Sequence, residues 1–170
     1  MVRIQRVAAV WGMASVLGGV SLLSGLPVFA QVDTRDQPEE KRSYLGIGGN
    51  IGLSGDESAL GDGGFAIVSR TRIIDYLSLR NSTVFGDETA SLFALTGELP
   101  LRDSQGAIMA TPFIGGGIWL HGEIDPLLSA GVDVPVGQNF TVTTRVNVGF
   151  DSGDTDAGLL IGVGYNFDLF

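Results

Sequence analysis

The sequence predicts an all-β chain: an eight-stranded antiparallel up-and-down transmembrane β-barrel, preceded by a cleavable signal peptide. Three observations lead there. From Tyr44 onward, apolar residues recur at every second position in segment after segment, the period of a strand with one greasy and one polar face. There are eight such segments, each near the roughly 9–11 residues that a tilted membrane strand needs. No helical period, and no apolar run long enough for a spanning helix, follows the first thirty residues. A chain of this kind crosses a bilayer only as a closed barrel, because hydrocarbon offers no water to the free edge of an open sheet.

The closing segment carries the pattern most fully. Leu159, Ile161, Val163, Tyr165, Phe167 and Leu169 alternate with Gly162, Gly164, Asn166 and Asp168, and the chain stops on Phe170. The first strand sets Leu45, Ile47, Ile51 and Leu53 against Tyr44, Gly46, Gly48, Asn50 and Gly52. Residues 54–63, rich in Gly, Asp and Ser, read as a loop. The second strand, 65–72, puts Phe65 and Ile67 on one face and Val68, Arg70 and Arg72 on the other. A turn at Ile74-Asp75 leads to the third, 77–85, and Gly86-Asp87-Glu88 turns into the fourth, 90–99, with Phe93, Leu95 and Leu99 opposite Thr96 and Glu98. Residues 102–106 are polar.

The fifth strand, 107–120, is interrupted by Pro112, which donates no ladder bond and belongs near a strand end or a bulge. Its parity is open: either Phe113 and Trp119 face out, or Ile114 and Ile118 do. Residues 121–126 read as a loop. In the sixth strand Leu128, Ala130, Val132, Val134 and Val136 alternate with Ser129, Gly131 and Asp133. After the turn Gly137-Gln138-Asn139, the seventh sets Phe140, Val142, Val146, Val148 and Phe150 against Thr141, Thr143, Arg145, Asn147 and Gly149, with aromatics at both ends of the apolar face, as two interfacial girdles require. Residues 151–156 form an acidic loop. Short turns after strands two and six, and longer loops after strands one and seven, fit one face of short turns and one of outward loops.

Residues 1–30 read as a secretory signal peptide: Arg3 and Arg6 precede an apolar run over 7–23, then Gly25, Pro27 and the small-residue site Val28-Phe29-Ala30. The competing reading is an N-terminal membrane anchor. Cleavage before Gln31 removes Arg3 and Arg6 from a chain of net charge −9 and leaves 8 basic residues against 19 acidic. That balance argues against nucleic acid as a partner. Residues 31–43 form a polar, flexible leader, and 44–170 the barrel. With no cysteine there is neither a disulfide framework nor a thiolate metal site.

Over about Tyr44 to Phe170 the chain resembles the small OmpA/OmpX-type outer-membrane β-barrel family. The likeness lies in the aromatic-ended closing strand, in the strand rhythm, and in the run Thr111-Pro112-Phe113-Ile114-Gly115-Gly116-Gly117. It implies the cell outer membrane as location and its lipid as surroundings. It also implies a monomer whose C-terminal strand is recognised by the barrel-assembly machinery, with a structural, envelope-integrity or surface-interaction role and no catalysis. The family's longer members tether to peptidoglycan through a domain that this sequence does not show after the barrel. Ser69, Thr71, Asn81 and Thr83 fall on the lipid face of strands two and three; a register slip, a bulge, or a soluble barrel would each explain them.

By parity Arg70, Arg72, Arg80, Arg145, Glu98, Asp133 and Asp168 point inward. Enclosed charges must be paired or hydrated, so they are expected to form an ion-pair network that fills the lumen; a gated small pore is the alternative. His121, the lone histidine, sits in His-Gly-Glu with Glu123 able to orient it and Ser129 the nearest serine. No catalytic motif matches, and a solvated loop histidine is the expectation. Asp151-Ser152-Gly153-Asp154-Thr155-Asp156 resembles part of a calcium loop without its glutamate. With Asp56, Glu57, Asp62, Asp87, Glu88, Glu123 and Asp125 it makes an acidic rim, read as solvated loops, with weak divalent-cation binding as the sharper alternative. No catalytic, cofactor-binding or metal-ligating residue is assigned. The reading from another class is a soluble periplasmic calycin-like barrel binding a small apolar ligand, which demands an apolar interior and a polar exterior.

Overall fold

The computed structural model describes residues 42–55 and 58–168. The expectations for the signal peptide, for most of the leader, and for Asp56, Glu57, Leu169 and Phe170 lie outside the described residues.

Among the described residues the chain forms nine strands and one short helix: β1 (Arg42–Ser54), α1 (Ala59–Asp62), β2 (Gly63–Ile74), β3 (Leu77–Phe85), β4 (Ala90–Glu98), β5 (Leu101–Arg102), β6 (Ile108–Leu120), β7 (Ile124–Val136), β8 (Phe140–Phe150) and β9 (Thr155–Asp168). Every pairing is antiparallel. β1 to β4 and β6 to β9 make the wall, each bonded to its neighbours; β4 pairs with β6, and β1 pairs with β9 to close the ring. The eight-stranded up-and-down barrel is thus present with no free wall edge. The two-residue β5, within a stretch read as a connection, pairs only with the start of β6 as a lip on the rim.

The alternation read in the sequence is the in/out alternation of the wall. Leu45, Ile47, Leu95, Ile114, Ile161 and Val163 all project outward and are exposed, whereas Tyr44, Arg80, Thr96, Arg145 and Leu160 are buried within. On β6 the open parity resolves: Ile114 and Ile118 face out, Phe113 and Trp119 face in. Outward aromatics gather at both ends of the wall. Phe65 stacks near Phe85 at the loop end, and Phe140 meets Tyr165 edge-on where the chain enters and leaves. A soluble carrier of apolar ligands would have these polarities reversed.

Two loop assignments need correction. Residues 124–126 are the start of β7, paired with Leu120, Trp119 and Ile118, so the loop read over 121–126 shrinks to 121–123. Likewise 155–157 pair with β8, and the acidic loop shrinks to 151–154. In both cases ladder bonds outweigh the polar composition. The polar residues on the wall of β2 and β3 are a third correction. Register is unbroken from Phe65↔Phe85 to Arg72↔Ser78, so neither slip nor bulge removes Ser69, Thr71, Asn81 and Thr83 from the outer face; the one irregularity comes later, between Arg72 and Ile74. Thr83 instead lies opposite Ser91, and their hydroxyls hydrogen-bond at 3.3 Å.

Candidate functional site: the lumen

The inward side chains divide by height. Toward the loop end they are mostly apolar: Val84, Ala90, Leu92, Trp119, Leu127 and Leu160 are buried together. Helix α1 folds onto them. Ser58 caps it, its hydroxyl accepting from the Leu60 N–H at 3.1 Å. The Asn50 amide, reaching up from β1, donates to the carbonyls of Ala59 at 3.0 Å and Leu60 at 2.9 Å. The Ser58 hydroxyl donates to Asp156 at 2.9 Å. Leu60 is thereby held fully buried, packed between β1 and β9. Gly158 leaves room for it, since a Cβ there would overlap the Leu60 carbonyl. The stretch read as a plain loop therefore contains a short helix anchored over the inward side chains. Asp156, counted in the sequence among the acidic rim, is one of the helix's anchors.

Toward the end where the chain enters and leaves, the lumen is ionic. Arg80, 1 % exposed, is its hub. Its guanidinium donates to Glu98 at 2.6 Å, Asp133 at 2.9 Å, Tyr44 Oη at 3.1 Å and Thr96 Oγ1 at 3.1 Å. Its Cζ lies 3.4 Å from the centre of the Phe113 ring, a cation–π contact. Arg70 pairs with the other Glu98 oxygen and donates to Ser78 Oγ at 3.2 Å. Arg145 donates to Tyr44 Oη at 3.3 Å, and that phenol donates in turn to Asp133. Three cations thus face two carboxylates, with Tyr44 bridging the excess. Charge-assisted bonds of this kind are the strong ones in a medium of low dielectric.

Five of the seven charges expected inside meet here. Arg72 turns instead to exposed Asp75 at 2.9 Å, and Asp168 is exposed at the end of β9. Tyr44, Ser78, Thr96 and Phe113 were not singled out, although the inward parity of Tyr44 and Thr96 was legible. Beside the network lies a cavity of about 270 Å3, lined among others by Arg70, Arg72, Thr111, Asp133 and Asn166.

His121 is not the solvated loop residue expected. Its side chain is 7 % exposed, stacked on Trp119 with ring centres 3.7 Å apart. Asp125, rather than Glu123, presents the nearby carboxylate, 3.7 Å from Nδ1. Ser129 is deeper, donating to Asn147, with Leu127 between it and Asp125 along the strand. The calcium-loop resemblance over 151–156 does not become a loop of ligands, because Asp156 turns inward to Ser58.

No family profile and no curated protein sequence matches the chain. Among solved structures, a de novo designed transmembrane β-barrel superposes over 78% of this chain and 98% of its own length, with TM-score 0.50 and 16% identity. Ail, the attachment invasion locus protein of Yersinia pestis, covers 75% of this chain and 99% of its own, with TM-score 0.48 and 16% identity. The N-terminal β-barrel domain of Pseudomonas aeruginosa OprF covers 75% and 98%, with TM-score 0.49 and 12% identity. At 16% identity the likeness to the designed barrel is one of fold alone: an eight-stranded antiparallel barrel.

Proposed function

We propose that this protein is a small outer-membrane barrel whose lumen is closed, serving a structural or surface-interaction role in the envelope rather than catalysis. The observation that carries the reading is the inverted polarity of the wall, with Ile47, Ile114 and Ile161 outward and exposed while Arg80, Glu98 and Asp133 are enclosed. Apolar side chains standing on the outside are stabilised by hydrocarbon, and enclosed charges are tolerated because they satisfy one another. Eight strands leave an interior just wide enough for side chains to fill. Leu60 and its neighbours pack the loop half, and the arginine network spans the other half beside the cavity of about 270 Å3; both support the closed-lumen reading. The signal-like N-terminus and the aromatic-ended closing strand support export and recognition by the assembly machinery. Lipid is then the chief partner of the wall, and the protein acts as a monomer.

Planar-bilayer recording tests the closed lumen. The mature protein is expected to give no stable unitary current; large, steady openings would overturn that part. Cell fractionation tests the location. The expected result is outer-membrane recovery with heat-modifiable migration on SDS gels, and recovery in the soluble periplasmic fraction would contradict it.

A further inference from the structure

The loop-end mouth holds a cluster that the closed-lumen reading does not use. β6 and β7 form a hairpin in which Trp119 lies opposite Asp125, and the His121 N–H donates to the Glu123 carbonyl at 3.3 Å. On the other side, β7 runs beside β8 in the register Leu127↔Gly149. Continuing that ladder by one inward step brings Asp125 level with Asp151. Carboxylate oxygens of Glu123, Asp125 and Asp151 all lie within 4.8 Å of one another. Among the described residues no lysine or arginine pairs with any of them, so the cluster concentrates negative charge that only a cation relieves.

A second observation comes from the imidazole. The His121 ring is more than nine-tenths buried, and its Nδ1 finds no hydrogen-bond partner; Asp125 Oδ2 likewise has no hydrogen-bond partner. The two atoms face each other at 3.7 Å. That is too long for a hydrogen bond. It is close to the edge, about 3.4 Å, of a tetrahedron built on metal–ligand bonds of about 2.1 Å. Trp119 holds the imidazole from behind, and it keeps its place because a Cβ on Gly149 would overlap its ring.

We propose that Glu123, Asp125 and Asp151, with the His121 imidazole turning in beside Asp125, bind one divalent transition-metal ion, zinc or a close analogue, at the mouth of the barrel. One imidazole nitrogen among carboxylates selects such metals over calcium and magnesium, which take oxygen ligands. The ion would tie the β6–β7 hairpin to the β8–β9 loop, bracing the wall beside α1.

The test uses the refolded mature protein in detergent micelles, with zinc followed by calorimetry and cobalt by its visible absorption. Trp119, the one tryptophan beyond residue 30, reports through its stacking on His121. Expected are one zinc per chain, a visible cobalt band, and a change in Trp119 emission. Both His121→Gln and Asp125→Asn should weaken zinc at least about tenfold, the loss that even an outer-shell partner costs. Asp87→Asn, on the same rim but outside the cluster, should not. Heat-modifiable migration of each variant checks that it folds. No saturable zinc binding by the folded wild type would overturn the proposal. So would calcium binding as tightly as zinc, or zinc binding unchanged in folded His121→Gln.

Discussion

The two halves of the lumen solve the same packing problem with opposite chemistry. Near the loops, Leu60 descends from α1 onto Val84, Leu92 and Leu160, and the space is filled as a soluble core is filled. Near the termini, Arg80 ties together Glu98, Asp133, Thr96 and Tyr44, and the space is spanned by a charge network. The apolar half tolerates truncation in proportion to the volume lost. In the ionic half the cost is set by what each truncation leaves unpaired, because each partner's burial depends on the others. What separates them is geometry: residues two apart along one strand, such as Leu92, Ala94, Thr96 and Glu98, step down from one chemistry into the other.

Arg80→Ala should have the largest effect. It leaves Glu98 and Asp133 enclosed with only Arg70 between them, and removal of one partner of a buried pair costs about 3–5 kcal/mol; urea unfolding in lipid vesicles measures it. Leu92→Ala, in the other half, should cost about 3 kcal/mol through the cavity it leaves. The same unfolding series should show the two losses adding, since the sites share no partner. A strong coupling between them would mean that the halves are one unit. Tyr44→Phe should cost about 1–3 kcal/mol, the penalty of stranding the buried guanidinium groups that meet at its oxygen. Asn81→Leu, on the outer wall, should have the smallest effect, neutral or stabilising by less than about 1 kcal/mol, because it replaces an amide with an apolar group on the lipid face. A clear loss there would show that the polar strip of β2 and β3 has a protein partner.

The wall was legible because its alternation is a direct consequence of the pleat: Phe140 to Phe150 reads in the chain as it stands in the barrel. Residues 115–117 are three consecutive glycines, with no side chain to betray a face, and so the parity of β6 needed its neighbours. Helix α1 escaped because four residues among Gly, Asp and Ser carry no helical period; what holds it is Asn50 on the preceding strand and Asp156, far along the chain. His121 was misread for a like reason. Its burial comes from Trp119 and the hairpin beneath it, and no property of His-Gly-Glu alone reveals that.

Everything rests on the outer face of the wall meeting hydrocarbon while the inner face does not. Tryptophan quenching by lipids brominated along the acyl chain tests this directly. In a Trp119→Phe background, Ile47→Trp places a reporter on the exposed outer face at a mid-strand position of β1, whereas the native Trp119 points inward. The outer reporter should be strongly quenched in vesicles and Trp119 spared. Quenching of Trp119 with the position-47 reporter untouched, or quenching of neither, would contradict the account.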